Sequence, residues 1–402
     1  MNYKELQVSL LRRWSLPKER SMRVIVRSFT IAEKAVFYFF TIVFILTSIL
    51  LLWKVSSSFL VEVPIRGGVL SEGVVGNPRF INPVLAISEA DKNLTSLVYS
   101  GLVRITPEGS VENDLAESVS LSEDRRVYTV TLSEDARFHD DTHVTADDVI
   151  FTVQKITDSN IKSPRRGNWD GVSIEKIDDR TITFSLKQAY TPFIYNLTIG
   201  ILPKHIWKNV SDDEFSFSQF NTLPIGSGLY RVESVERNSG GIPNLYVLSP
   251  SENALVKAPY IKNIIFKFYP SENELINAYN SGQVESAGGI SPENAVELKI
   301  NNSRIISSPL PRVFAVFFNQ NQAKVLLNKE VRLALDMASP KEAIVENVLG
   351  GYGTAIDGPL PAGIYPWTSG DPDKPKIEER IEGAKKILAD AGWTENPETG
   401  VL

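Results

Sequence analysis

Nineteen consecutive residues, Ala35 to Trp53 (AVFYFFTIVFILTSILLLW), carry no charge. A bilayer's hydrocarbon core is about 30 Å thick, and a helix of this length can cross it. The run therefore reads as a membrane span. Thr30 and Glu33 stand at the spacing of a capping box, which starts the helix at Ile31. Residues 1–34 hold eight basic side chains (Lys4, Arg12, Arg13, Lys18, Arg20, Arg23, Arg27, Lys34) against three Glu. The positive-inside rule then puts the N-terminus in the cytoplasm and everything after Lys54 outside. The rival reading is a cleaved signal peptide, with Val55-Ser56-Ser57-Ser58 as the place to cut. Signal peptides have apolar regions of about 7–15 residues, so the length of this run favours an uncleaved anchor. The expected organisation begins with a basic leader at 1–30, a transmembrane helix at 31–55 and a linker at 56–66.

The remainder is long enough for two or three domains. Residues 1–54 take nine of the 42 basic and three of the 48 acidic side chains, leaving a net charge of −12 on the rest. Nucleic-acid binding needs a basic footprint, so it is not expected. With no cysteine in 402 residues, disulfides, thiolate metal sites and cysteine nucleophiles are excluded. A lipoprotein-type anchor, which needs a cysteine, is excluded with them.

Beyond the linker the pattern alternates between strand and helix periods. Tyr128, Val130 and Leu132 alternate with Thr129 and Thr131, as in a half-buried strand. Thr145 and Asp148 are spaced as a cap pair, and Val149, Ile150, Val153 and Ile156 give the following helix an apolar face. The loop Phe138–Thr142 between them places Asp141 at a turn position suited to a left-handed residue. Gly68–Val75, Ile182–Leu186 and Ile264–Phe268 read as strands, as does Val313–Asn319 (VFAVFFN). Ser88 caps a helix from Glu89 to about Tyr99 with Leu94, Leu97 and Val98 inward. Glu272–Tyr279 is a helix, and Ser339, Pro340 and Glu342 open another, which Gly350 and Gly351 end. Gly358-Pro359-Leu360-Pro361 is a rigid turn. Ile377, Ile381, Ala384, Leu388 and Ala391 make one apolar helical stripe, which Gly392 stops.

The order of several short motifs is more telling than any one of them. LVYSGLVRITPEGSVENDLAESVSL begins at Leu97, and FHDDTHVTADDVIF begins at Phe138. Ile201-Leu202-Pro203-Lys204-His205 and Gly226-Ser227-Gly228-Leu229-Tyr230 follow, then Ser281–Glu285, Phe318-Asn319 and Val331–Leu335. In that order and spacing the chain from about 67 to 395 resembles the peptide/nickel family (family 5) of extracytoplasmic solute-binding proteins of ABC importers.

The resemblance implies an α/β fold of the two-lobed periplasmic-binding-protein type II kind with an extra inserted domain. Lobe I would comprise 67–101 and 191–262, the inserted domain II 102–190, and domain III 263–402. Family members continue past the Ala391-Gly392-Trp393 helix end, so the C-terminal part of the fold is expected to be missing. The function implied is capture of a peptide in an interlobe cleft by hinge closure, followed by delivery to an ABC permease. Cleft-facing segments would be Arg79-Phe80, Ala86-Ile87-Ser88-Glu89, Gly226-Ser227-Gly228 and Phe317-Phe318-Asn319, with only one of the two adjacent Phe, here Phe318, able to face the cleft. A monomer is expected, held at the membrane by residues 31–55 with its binding domain outside the cell. Relatives that bind nickel chelates, haem or oligosaccharides leave the solute open, and the long basic leader leaves open a tethered sensor or interaction protein.

The remaining chemistry is sparse. His139 and His143 lie in a loop with no third ligand at metal-site spacing. Gly226-Ser227-Gly228 lacks the spacing of a nucleophile elbow, and only one other histidine exists, His205. Neither a cofactor, a metal nor an enzyme activity is expected. Trp169, in a polar loop after Asn168, suits either ligand stacking or packing at a seam.

Overall fold

Strand β1 (Gly67–Val75) pairs in parallel with β10 (Ile261–Tyr269), almost two hundred residues later, setting Val74 beside Phe268. The computed structural model describes residues 27–58, 60, 63–107, 109–255, 258–300, 304–307, 313–358 and 375–394. Most of the basic leader and the Pro359–Pro361 turn lie outside them. The chain divides into two units, Met1–Ile65 and Arg66–Leu402.

The described part of the first unit is helix α1, Ile31–Ser58. Its start is the expected cap: the Thr30 amide donates to the Glu33 carboxylate at 2.8 Å, and the Glu33 amide donates to Thr30 Oγ1 at 3.4 Å. The helix is long and apolar enough to cross a membrane. Its two threonines return their hydroxyls to the helix, Thr41 to the Phe37 carbonyl at 2.7 Å and Thr47 to that of Val43 at 2.9 Å. Neither hydroxyl then needs water.

The second unit is mixed α/β. Its larger sheet has five strands in the order β11-β1-β10-β9-β8. Besides β1 and β10 it uses β8 (Tyr230–Arg237), β9 (Pro243–Pro250) and β11 (Ser286–Gly288). β1 runs parallel to both neighbours, while β8, β9 and β10 form an antiparallel meander. Ile264, Phe266 and Phe268 turn inward from β10 on period two.

A second, four-stranded antiparallel sheet is built wholly from residues 116–186, in the order β4-β5-β7-β6. These are β4 (Ala116–Leu121), β5 (Val127–Leu132), β6 (Val172–Lys176) and β7 (Thr181–Leu186). Tyr128 faces Phe184 and Val130 faces Ile182 across the β5–β7 ladder, and all four are buried. Full burial of such side chains stabilises by about 1.5–3 kcal/mol each. A small ribbon of β2 (Val103–Ile105) and β3 (Val111–Asn113) adjoins β4 in sequence.

Helix α2 (Glu89–Val98) buries Leu94 and Val98, and α3 (Ala146–Thr157) buries Val149, Val153 and Ile156, all in one continuous core. Asp148 holds the start of α3, accepting from the Thr145 amide at 2.8 Å. The loop before it turns at Asp141, whose φ is +68°. Helix α4 (Glu272–Asn280) packs Leu275 and Ala278 with Val284 in a separate small core. Further along come α5 (Pro292–Ile300), α6 (Lys329–Ala338), α7 (Lys341–Leu349) and α8 (Ile377–Asp390).

Two expectations are corrected here. Val313–Asn319 forms no strand, and Phe314, Val316 and Phe317 are exposed. A strand exists by pairing, and no described strand lies alongside this segment to satisfy its backbone. Ser339 does not cap α7; the cap is Pro340, which has no side-chain bond to offer. The Ser339 amide instead donates to the Asp336 carbonyl, closing the end of α6.

Candidate functional site

The first wall of the site is set by a buried asparagine. Asn82 accepts the Val84 amide on its side-chain oxygen at 2.9 Å and donates to the Asn221 side chain at 3.0 Å. Its backbone carbonyl takes the amides of Leu85 and Ala86, so 82–86 is a tight turn presenting Pro83 and Ala86. The chain then enters α2 through a capping box. Ser88 Oγ accepts the Asp91 amide at 3.1 Å, and the Asp91 carboxylate accepts the Ser88 amide at 3.2 Å. Lys92, Thr95, Ser96 and Tyr99 recur at helical spacing and share one side of this wall.

Arg165, Asn168 and Trp169 form a second wall, and Tyr195 to Gly200 a third. The Asn196 side chain ties the two together by donating to the Asn168 carbonyl at 2.7 Å. Between the walls is a half-open cavity of about 250 Å³. That is just below the range of about 300–1,000 Å³ usual for ligand pockets, so it suits one end of a solute. Gly200 is needed at the seam. A Cβ there would lie 2.6 Å from that of Tyr99 and 3.3 Å from that of Pro83.

The charged residues among the described lining are Lys92 and Arg165, both basic. Lys92 meets Glu89 in an exposed ion pair at 3.1 Å. Burial holds the Tyr99 phenol protonated by pushing its pKa well above the ordinary tyrosine range. The hydroxyls of Thr95 and Tyr99 are buried, and no described group bonds to them. The described lining contains no carboxylate, imidazole or thiol; its polar side chains are hydroxyls, amides and two cations, together with the indole of Trp169, and such groups can hold a polar solute.

Of the residues singled out from sequence, Trp169 lines this cavity. It is also a core residue, 3% exposed, with its ring against Phe184 and Phe193 at 5.9 and 5.6 Å. Arg79 and Phe80 stand beside α2, the Arg79 guanidinium 5.4 Å from the Phe80 ring centre, and their amides donate to Asp91 at 2.7 and 2.8 Å. Ser88 is the helix cap and Glu89 the partner of Lys92. Gly226, Ser227 and Gly228 lie outside the cavity, against the far end of α2. The Gly228 amide donates to the Val98 carbonyl at 2.8 Å, and Ser227 Oγ accepts the Ser100 amide at 3.4 Å. Phe318 is part of the exposed 313–319 segment, and Asn319 accepts the amides of Asn321 and Gln322 at 3.2 Å in a turn. The cavity does not bring these two together with Trp169.

Sequence reasoning missed Lys92, Thr95, Tyr99, Arg165 and Tyr195. The helical spacing 92-95-96-99 was a usable signal for a polar face; nothing in the sequence tied it to Arg165 or Tyr195. Among the described residues no three His, Asp or Glu gather as metal ligands. Both ring nitrogens of His139 are engaged, by the Gly226 amide and the Gly228 carbonyl.

A mixed α/β fold with a half-open cavity between three of its segments is an arrangement that can hold a small solute. The model for the bacterial extracellular solute-binding proteins, family 5, matches residues 110–402, and the chain belongs to that family. It is 28% identical over 345 residues to the oligopeptide-binding protein AppA of Bacillus subtilis, covering 84% of this chain and 62% of AppA. The structure of AppA in complex with a nonapeptide superposes with a TM-score of 0.60 over 85% of this chain and 67% of that one. The ABC transporter substrate-binding protein CtaP of Listeria monocytogenes gives a TM-score of 0.67 at 30% identity, over 82% and 66% of the two chains. NikZ of Campylobacter jejuni, in complex with Ni(L-His), gives 0.58 at 26% identity, over 82% and 64%. The chain thus spans about two thirds or less of the length of these relatives, which are solute-binding proteins rather than enzymes.

Proposed function

We propose that the chain is the membrane-tethered solute-binding component of an ABC importer, and that it captures short peptides. The observation that carries this reading is the cavity walled by α2, Arg165–Trp169 and Tyr195–Gly200, in a chain 28% identical to an oligopeptide-binding protein. A peptide end would enter the cavity and the rest would lie along the exposed Ile87–Ser88 edge. Hinge closure of the lobes over the solute, with Phe318 and Asn319 approaching from the other side, would complete the site. Helix α1 would hold the protein at the membrane outside the cell, raising its local concentration at the permease. Native mass spectrometry of the full chain in detergent, mixed with a pool of three- to five-residue peptides, tests the reading. Peptide adducts are expected on the wild type; a folded protein that carries none overturns it.

A second reading, a metal chelate in the same cavity, is favoured by the likeness to NikZ. No imidazole, thiol or carboxylate is among the described lining residues. The metal would therefore arrive already coordinated, and its own ligands would be what the protein holds.

A further inference from the structure

We infer that Thr95 and Tyr99 form an inner subsite of the cavity that selects an uncharged solute group able both to give and to take a hydrogen bond, a side-chain carboxamide. This deepens the solute-binding reading and rests on it. Among the described residues two buried side-chain oxygens have no hydrogen bond, Thr95 Oγ1 and the Tyr99 hydroxyl, and both residues line this cavity. Thr95 is 9% and Tyr99 4% exposed, so both are withdrawn from bulk water.

Elsewhere in the molecule the same groups are satisfied. Thr41 and Thr47 of α1, and Thr152 and Thr157 of α3, each return the hydroxyl to the carbonyl four residues back, at 2.7–3.0 Å. Thr95 of α2 does not. Of the four buried tyrosines described, Tyr128, Tyr230 and Tyr246 donate to the carbonyls of Thr191, Ile261 and Thr222 at 3.4, 2.9 and 2.9 Å. Tyr99 is the exception. Native structures seldom leave a buried polar group unpaired, because its desolvation is then uncompensated. Two such exceptions, four residues apart in one cavity, point to a partner that arrives with the solute.

The hydroxyls select among solute groups. A threonine hydroxyl gives one hydrogen bond and takes up to two, and a phenol gives one. A carboxamide carries an accepting oxygen and a donating nitrogen side by side, so it can take the Tyr99 proton and give one of its own to Thr95 Oγ1. An aliphatic hydroxyl has a single proton, an ammonium accepts nothing, and a carboxylate donates nothing. Charge is disfavoured at this depth as well. Burial alone holds the Tyr99 phenol protonated, so the space around its hydroxyl is poorly solvated and outside the pull of Lys92 and Arg165. An ionised group would lose its hydration there without compensation.

The test uses the full chain in detergent and three pools of three- to five-residue peptides, built from Ala and Gly with one Gln, one Met or one Glu at a random position. Native mass spectrometry reads occupancy. The wild type is expected to hold the Gln pool about tenfold or more in preference to the other two. Thr95→Val and Tyr99→Phe each remove one hydroxyl at nearly constant shape. Each is expected to lose most of that preference without a lower melting temperature, because neither hydroxyl bonds to a described group of the protein. A lower melting temperature with all three pools weakened alike would mark a structural role and overturns the subsite. Equal binding of the pools by the wild type, preference for Met or Glu, or an undiminished preference in either variant overturns it too, while leaving peptide capture standing. If no pool binds, peptide capture falls, and the subsite is decided with propanamide, followed by tryptophan fluorescence. Saturation in the wild type and not in the double variant Thr95→Val/Tyr99→Phe upholds it; no saturation in the wild type, or saturation in both, overturns it.

Discussion

Nε2 of His139 lies 3.0 Å from the carbonyl oxygen of Gly228, while its Nδ1 accepts the amide of Gly226 at 3.3 Å. One ring therefore clamps both ends of the Gly226-Ser227-Gly228 segment against the loop at 138–142. Only the neutral imidazole with its proton on Nε2 makes both bonds at once. Burial pushes the His139 pKa down; Arg231 adds to this, while the Gly228 carbonyl and Asp140 oppose it.

The sign of the pH effect follows. Where the folded pKa is depressed, the unfolded chain binds the extra proton first as pH falls below its value of about 6.5. Stability is therefore complete above about pH 6.5 and declines as pH falls toward the lower folded pKa. Thermal melts of the wild type should show a fall between pH 7 and pH 5. His139→Ala should cost about 1–3 kcal/mol at pH 7, since it strands a buried donor and acceptor, and its melting temperature should fall less over the same interval.

Gly226 is fixed by contact rather than by backbone angle. A Cβ there would stand 2.0 Å from the Val98 carbonyl oxygen, a backbone atom that cannot swing aside. Gly226→Ala should destabilise by about 1–3 kcal/mol through overpacking. Urea unfolding measures it, with a lower midpoint and an unchanged slope expected.

Asp91 is buried and gathers the amides of Arg79, Phe80 and Ser88 on its two oxygens. Asp91→Ala leaves three donors without an acceptor and removes a cap. A loss of about 2–3 kcal/mol is expected. Asp91→Asn, which keeps one accepting oxygen, should lose less in the same denaturation assay.

Ser96 is exposed, lines the cavity, and donates its hydroxyl to the Asn93 carbonyl three residues back. Ser96→Trp puts a large ring over the cavity without touching the core. Peptide adducts in native mass spectrometry should disappear while the melting temperature stays within a few degrees. Adducts undiminished in Ser96→Trp would mean that solute binds elsewhere.

One element that the sequence misleads on is instructive beside those it makes plain. Tyr128, Val130 and Leu132 lie as their alternation requires, because strand period and burial are both local properties once one face is apolar. Asp141 takes its left-handed turn, with φ of +68°, for reasons contained in five residues. Val313–Asn319 has the same strand composition, yet it stays irregular because a ladder needs a neighbour.

By itself the sequence determined the apolar helix that starts at Ile31, the caps at Ser88 and Thr145, and the strand and helix periods of the α/β unit. Each depends on side chains within a turn or two of one another. Only the tertiary structure decided the cavity. Thr95 and Tyr99 face Arg165 and Tyr195 because the Asn82 turn, the Asn196–Asn168 bond and the close approach at Gly200 bring three segments together across about a hundred residues of chain. Such contacts arise from long-range packing, and that has no period to read along the chain.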